Sequence, residues 1–74
     1  MGRVVKLEKV QPGSRAREGE ILVDLDHVAA IESGCDWATC VTLTGGRIIH
    51  VRGRFDELAP KLLERMGISD VEAL

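Results

Sequence analysis

Two cysteines and two histidines are the residues of this chain whose types could do chemistry together. They form a nominal zinc ligand set, Cys35, Cys40, His27 and His50. Structural zinc sites usually begin with a cysteine knuckle whose ligands converge tetrahedrally, whereas Cys40 and His50 fall on a regular predicted hairpin. We therefore expect no zinc at these residues and no other cofactor.

The same cysteine and histidine raise the question of nucleophilic catalysis, in which an imidazole activates a thiolate. The predicted hairpin register sets Cys40 directly opposite His50, on the face that turns away from the core. The sequence identifies no third residue that would orient the histidine and no group that would bind an oxyanion. We predict that the protein is not an enzyme and that both cysteines are free thiols.

A basic group could instead bind phosphates. It comprises Arg47, Arg52 and Arg54 on the last hairpin and Arg15 and Arg17 in an earlier loop. A nucleic-acid-binding regulator is therefore the alternative function. Against it, acidic residues follow the hairpin closely, the net charge is -2, and one Trp, one Phe and no Tyr leave few rings for bases to stack on.

The face of the last hairpin that turns away from the core has the composition of an interaction surface. It carries Ala38, Cys40, Thr42, Ile48, His50 and Arg52. This set is too apolar for a freely solvated surface and too polar for a core, which is typical of an interface with a subunit or partner. Trp37, in a predicted turn, either caps the core or anchors a partner. The interface candidates are Ile48, His50, Cys40, Thr42, Arg52 and Trp37.

The hairpin that positions these residues is the best-defined element of the sequence. Valine, isoleucine and threonine favour strands, and Gly45-Gly46 permits the positive φ angles of a tight reversal. A two-residue loop would mix polar and apolar side chains on both faces. A three-residue loop, 44–46, instead sets Val41 opposite Ile49 and Thr39 opposite Val51, which gives one clean core face.

The remaining strands and the segments that connect them complete the predicted sheet. Strands are expected at 3–10, 20–23, 28–32, 38–43 and 47–52, with a loop at 11–19 and a reversal at 34–37. A compact turn at 24–27 lets aspartate side chains accept hydrogen bonds from nearby amides. The pattern predicts a five-stranded antiparallel meander, either a strongly twisted sheet or a partly open barrel.

The hydrophobic period then changes from two to nearly four, which indicates a helix. Phe55, Leu58, Leu62 and Met66 form its apolar stripe, and a glycine follows the last of them. Because proline is tolerated only in the first helical turn, we expect the regular helix to begin just before Pro60, after an irregular turn at 55–59. The fold class is α+β, with one domain at 1–67 and a short tail at 68–74.

Length and composition limit what this domain can bury. A chain of 74 residues hides only about 60% of its unfolded surface. No disulfide framework or metal would add stability, so a homo-oligomer is expected. No apolar run approaches the ~20 residues of a membrane span, and the first residues lack the apolar core of a signal peptide. We expect a cytoplasmic protein without membrane insertion.

Taken in order, several segments resemble the small flagellar and swarming motility proteins of the FlbD type, a family with phage and mobile-element relatives. The matching residues are 21–28, Ile31-Glu32, 41–46, 49–51 and 55–58. The most distinctive segment is Asp-His-Val-x-x-Ile-Glu at 26–32. The resemblance implies a small non-catalytic accessory or regulatory protein that acts by contact with another protein. The sequence departs from the family pattern in the loop at 11–19, at 35–37 and after Gly67.

Overall fold

Five antiparallel strands and one helix make up the computed structural model, which describes residues 3–14 and 16–74. The strands are β1 (Val4–Val10), β2 (Arg17–Asp24), β3 (Val28–Cys35), β4 (Ala38–Leu43) and β5 (Ile48–Arg52), and the helix is α1 (Phe55–Met66). A 3-10 turn, Leu25–His27, separates β2 from β3. The predicted α+β class is confirmed.

The strands lie in one open sheet in the order β2-β1-β5-β4-β3. In the predicted meander, β2 would pair with β3 and β1 would be an edge strand. In the structure β1 instead lies between β2 and β5, with Lys9 opposite Val51. After β2 the chain turns inward, since Leu25 is buried and its amide donates to the Arg3 carbonyl at 2.8 Å. This turn leaves β2 and β3 as the two edges of the sheet.

The β4–β5 hairpin has the predicted register. Val41 lies opposite Ile49, Thr39 opposite Val51, and Cys40 opposite His50. The amide of Leu43 donates to the Arg47 carbonyl at 2.7 Å, which closes the three-residue loop. Gly45 and Gly46 have φ angles of 95° and 93°. An L side chain rarely adopts such angles, so the two glycines make this short loop possible.

Two strands are longer than the sequence predicted. β2 begins at Arg17 rather than at residue 20, because a register shift after Lys9 sets Arg17 opposite Val10. Gly19, with φ 119°, lies at this irregularity and keeps the strand continuous. β3 continues to Cys35 rather than ending at residue 32, since a register shift after Ser33 lets it pair as far as the turn at 36–37.

The helix begins at Phe55, so the expectation of a start just before Pro60 was wrong. Proline lacks the amide that would donate to the carbonyl of residue 56. Both Asp56 and Pro60 are exposed, so water can satisfy that carbonyl. Burial of Ala59 and Leu62 favours the longer helix. The helix ends at Gly67 as predicted, in a left-handed conformation with φ 78°.

The core lies between the sheet and the helix. It is one cluster of buried side chains, Val23, Leu25, Val41, Ile49, Val51 and Leu62. The helix packs against β3, β4 and the 3-10 turn. At its far end the Arg3 guanidinium donates to the Met66 carbonyl at 2.7 Å, which ties the beginning of β1 to the end of α1. The helix therefore covers the core face of the sheet, as predicted.

The connection between β5 and α1 is held at Gly53. The hydroxyl of the fully buried Thr39 donates to the Gly53 carbonyl at 2.8 Å. The Gly53 amide donates to the Trp37 carbonyl at 3.0 Å. Gly53 has φ 129°, and a Cβ there would lie 3.4 Å from Leu58. These contacts set the direction in which the chain leaves the sheet and enters the helix.

Candidate interaction surface

The side of β3, β4 and β5 that turns away from the core is called the outer face here. It carries Ala30, Glu32, Ala38, Cys40, Thr42, Ile48, His50 and Arg52. Strand register brings these side chains together because residues opposite each other in an antiparallel pair project from the same side. The predicted interface candidates of the last hairpin therefore do share one surface.

Glu32, Cys40 and His50 form a row across the middle of the outer face, one residue from each strand. Burial raises the pKa of the Cys40 thiol, and the negative charge of Glu32 and a hydrogen bond with its carboxylate raise that pKa further. Cys40 is therefore a protonated thiol at neutral pH. A thiol held in this form is a poor nucleophile, although its position opposite a histidine was predicted correctly.

Glu32 is a neighbour of Cys40 that the sequence alone did not reveal. Its place beside Cys40 follows from the β3–β4 register, in which Ser33 also lies opposite Thr39. The alternation of Ile31 and Glu32 was visible in the sequence, but the register shift after Ser33 was not. Counting back from the reversal alone would have assigned Cys40 a different partner.

Ile48 is a large apolar side chain of the outer face that is exposed, with 56% of its surface accessible. It lies opposite the half-buried Thr42. Ala38 and Cys40 are buried instead, at 1% and 8%, beside the longer side chains of the neighbouring strands. The accessible part of the outer face therefore comprises Ile48 and Arg52, the half-buried Thr42 and His50, and the exposed Ala30 and Glu32 of β3.

Three of the five arginines in the predicted basic group form ion pairs with carboxylates. Arg52 and Arg17 both form ion pairs with Glu8, the latter at 3.3 Å, and Arg54 pairs with Asp56 at 3.2 Å. Arg47 is exposed and forms no ion pair within residues 3–14 and 16–74. Arg15 lies outside the described residues. A phosphate would compete with these carboxylates for the exposed guanidinium groups.

Trp37 and His27 have positions that join elements of the fold. Trp37 is half-buried in the β3–β4 turn, where its carbonyl accepts a hydrogen bond from the Gly53 amide.

His27 lies in the 3-10 turn with Nδ1 3.3 Å from the Thr44 hydroxyl and Nε2 3.8 Å from an Asp24 carboxylate oxygen. The Thr44 amide also donates to the His27 carbonyl at 2.7 Å. His27 thus ties the 3-10 turn to the β4–β5 loop.

Asp24 confirms the predicted role of aspartate in this turn. Its side chain accepts a hydrogen bond from the Asp26 amide at 3.0 Å, which caps the 3-10 turn. The short side chain satisfies a backbone donor that has no partner within the turn itself. The compact connection between β2 and β3 is therefore encoded locally.

A surface hollow of about 210 Å³ lies beside the exposed Cys35. Its lining comprises Ser33, Cys35, Asp36, Arg54, Phe55 and Asp56. This lining contains no histidine that could activate the thiol, and its arginine is already paired with Asp56. Within the described residues, no cluster of three or more His, Cys, Asp and Glu side chains is arranged to hold a metal ion.

Comparison of the chain with protein-family models, with curated proteins and with solved structures found no match. In the part of the chain that the structure describes, no helix has both the length and the apolar character needed to cross a membrane.

Proposed function

We propose that this chain is a small non-catalytic accessory or regulatory protein that acts by binding a protein partner through its outer face. The observation that carries the proposal is the exposure of Ile48 beside the half-buried Thr42 on the outer face. A branched apolar side chain in the middle of polar neighbours loses unfavourable contact with water when a partner covers it.

The chemistry of the neighbouring residues supports binding rather than catalysis. The Cys40 thiol is kept protonated, because burial and the adjacent Glu32 carboxylate raise its pKa. Within the described residues every buried side-chain nitrogen and oxygen already has a hydrogen-bond partner.

The proposed role is that of the FlbD-type motility proteins or of their phage-borne relatives, on the basis of the segment Asp-His-Val-x-x-Ile-Glu at 26–32. We place the protein in the cytoplasm, where its two free cysteines would remain reduced. The partner in this proposal includes a second copy of the chain, since a domain of this size gains stability by association.

Sedimentation velocity at several protein concentrations tests the proposal. Ile48→Glu places a charge in the contact and should shift the protein to the monomer, while Leu22→Glu is a matched control because Leu22 is also exposed, at 68%, but lies on β2. A protein that is monomeric at high micromolar concentration and binds no motility protein would refute the proposal. A gel shift that is weakened by salt and lost in Arg47→Ala would favour the nucleic-acid alternative.

A further inference from the structure

β3 forms one edge of the sheet, and its free side is open to another strand. It pairs with β4 on one side, and no strand within residues 3–14 and 16–74 pairs with it on the other. Natural edge strands are often protected against further pairing by charged side chains or by β-bulges. β2, the opposite edge, has four charged residues among eight, whereas Glu32 is the only one among the eight of β3. Charge therefore protects β2 and leaves β3 open.

The irregularities of β3 lie near its two ends. Register shifts occur between Val28 and Ala30 and between Ser33 and Cys35. The residues between these shifts, 30–33, pair regularly with β4. The bulges that bend the ends of this edge therefore leave a regular stretch in its middle.

The backbone groups of β4 alternate between its two neighbouring strands. The Leu43 amide donates at 2.7 Å to the carbonyl of Arg47, which directly precedes β5, so Leu43 faces β5. Every second residue of an antiparallel strand directs its backbone groups to the same neighbour. The amides and carbonyls of Thr42 and Cys40 are therefore directed to β3.

The same alternation identifies the free backbone groups of β3. Ala30 and Glu32 lie opposite the two β4 residues that face β3, so their backbone groups form the ladder to β4. The amides and carbonyls of Ile31 and Ser33 consequently point away from the sheet. A further antiparallel strand would bind these groups.

We propose that β3 pairs with β3 of a second copy in antiparallel orientation, about a twofold axis at Ile31. The two five-stranded sheets then become one continuous sheet. Ile31 forms a hydrogen-bonded pair with Ile31 of the partner subunit, and the half-buried side chain, which packs against the core, is covered further. On the outer side, Ala30 lies opposite Glu32 of the partner subunit.

A second copy is the occupant because β3 is complementary to itself in this register. Its one charged residue, Glu32, meets a small neutral side chain rather than a like charge. The same operation on β2, about Leu22, would set Glu20 opposite Asp24 of the partner subunit, and both are acidic. A contact between β2 and β3 would be head-to-tail and would not close. Pairing of β3 with itself gives a closed dimer without opposed charges.

This contact goes beyond the proposed function, because Ile48 lies on β5, two strands from the free edge of β3, and takes no part in it. The paired stretch is short, so the contact is weak, and we expect it at about 1 mM protein, above the micromolar range that tests the outer face. Measurements on the Ile48→Glu variant, which removes the outer-face contact, therefore report on the edge alone.

Amide hydrogen exchange measured by NMR tests the edge contact in this variant. The amides of Ala30 and Glu32 should be protected at every protein concentration, because they belong to the ladder with β4. The Ile31 amide should exchange readily in dilute protein and gain protection as the concentration rises to about 1 mM. Neighbouring residues of one strand thus serve as each other's controls.

Substitutions at the exposed Ala30 test the register without altering the core. Ala30→Lys would meet Glu32 of the partner subunit twice in each dimer and should tighten association about two- to thirtyfold, while Ala30→Glu should weaken it by a similar factor. Adding Glu32→Lys to Ala30→Glu should restore the association. Leu22→Lys and Leu22→Glu make the same changes in net charge at an exposed position of β2 and should have no such effect.

The outcomes separate the edge contact from the outer-face contact. Concentration-independent exchange of the Ile31 amide in a chain that still associates, or a strictly monomeric Ile48→Glu variant at about 1 mM, would overturn the edge contact and leave the proposed function standing. Equal effects of Ala30→Lys and Ala30→Glu would exclude the register. Micromolar association that survives Ile48→Glu and protects the Ile31 amide would support the edge contact and refute self-association through the outer face.

Discussion

Replacing Val41 by alanine tests the arrangement of the hairpin on which the outer face depends. Val41 is fully buried in the core, and the substitution removes two methyl groups. Each buried carbon contributes about 0.8 kcal/mol, and the cavity adds a further penalty. The free energy of unfolding should therefore fall by about 2 to 3 kcal/mol. Thr42 is the next residue and is half-buried on the outer face. Replacing it by alanine should lower the free energy of unfolding by less than about 1 kcal/mol.

The expected difference is large for a domain of this size. Stabilities of roughly 0.05 to 0.15 kcal/mol per residue are typical, so the Val41→Ala loss is a substantial part of the whole. In a domain of 60 to 100 residues it corresponds to a fall in Tm of about 10 to 20 °C. Urea unfolding monitored by circular dichroism measures both variants, with an unchanged m-value as the control for two-state behaviour. Equal losses at the two positions would show that the inward and outward faces are assigned wrongly.

Three further changes test other parts of the structure. Gly53→Ala should lower the free energy of unfolding by about 1 to 3 kcal/mol, because φ 129° is strained for alanine. Gly13→Ala, with nothing within 4 Å, is the control in the same urea titration. The folded state raises the pKa of Cys40 above the ordinary thiol value of 9.0, so its contribution to stability is intact below that pH and is lost as the pH rises through the folded pKa. Cys40→Ser should therefore flatten the alkaline fall in Tm, and an unchanged slope would exclude this cause. Deleting the chain from Pro60 onward exposes the core face of the sheet and should abolish cooperative unfolding in calorimetry; a cooperative transition in the shortened chain would mean that the helix is dispensable.

Local pattern was sufficient to predict the β4–β5 hairpin and the adjacency of Cys40 and His50. The strands alternate and the loop contains two glycines, so the register depends on residues that are close in the sequence. The helix start could not be predicted in the same way. The rule that excludes Pro60 from a helix interior is local, whereas burial of Ala59 and Leu62 against the sheet is tertiary and outweighs it.

The ion pairs of the basic group also depend on contacts between residues distant in the sequence. Glu8 lies 44 residues from Arg52, and the two meet only because β1 pairs with β5. The sequence showed an excess of arginines on the last hairpin, but not that β1 would supply a carboxylate to them. For the same reason the composition alone overstated how available these arginines are to phosphates.

The position of β1 between β2 and β5 has a consequence for how the chain folds. The β1–β2 hairpin and the β3–β4–β5 hairpins can each form from neighbouring residues, but the sheet becomes continuous only when Lys9 meets Val51. Bringing Lys9 and Val51 together closes a long segment, and the entropy lost in closing it opposes this step until the strand contacts form. During synthesis, one edge of β1 therefore stays unpaired until β5 has left the ribosome. Pairing of β5 with β1 then joins the two hairpin units into one sheet.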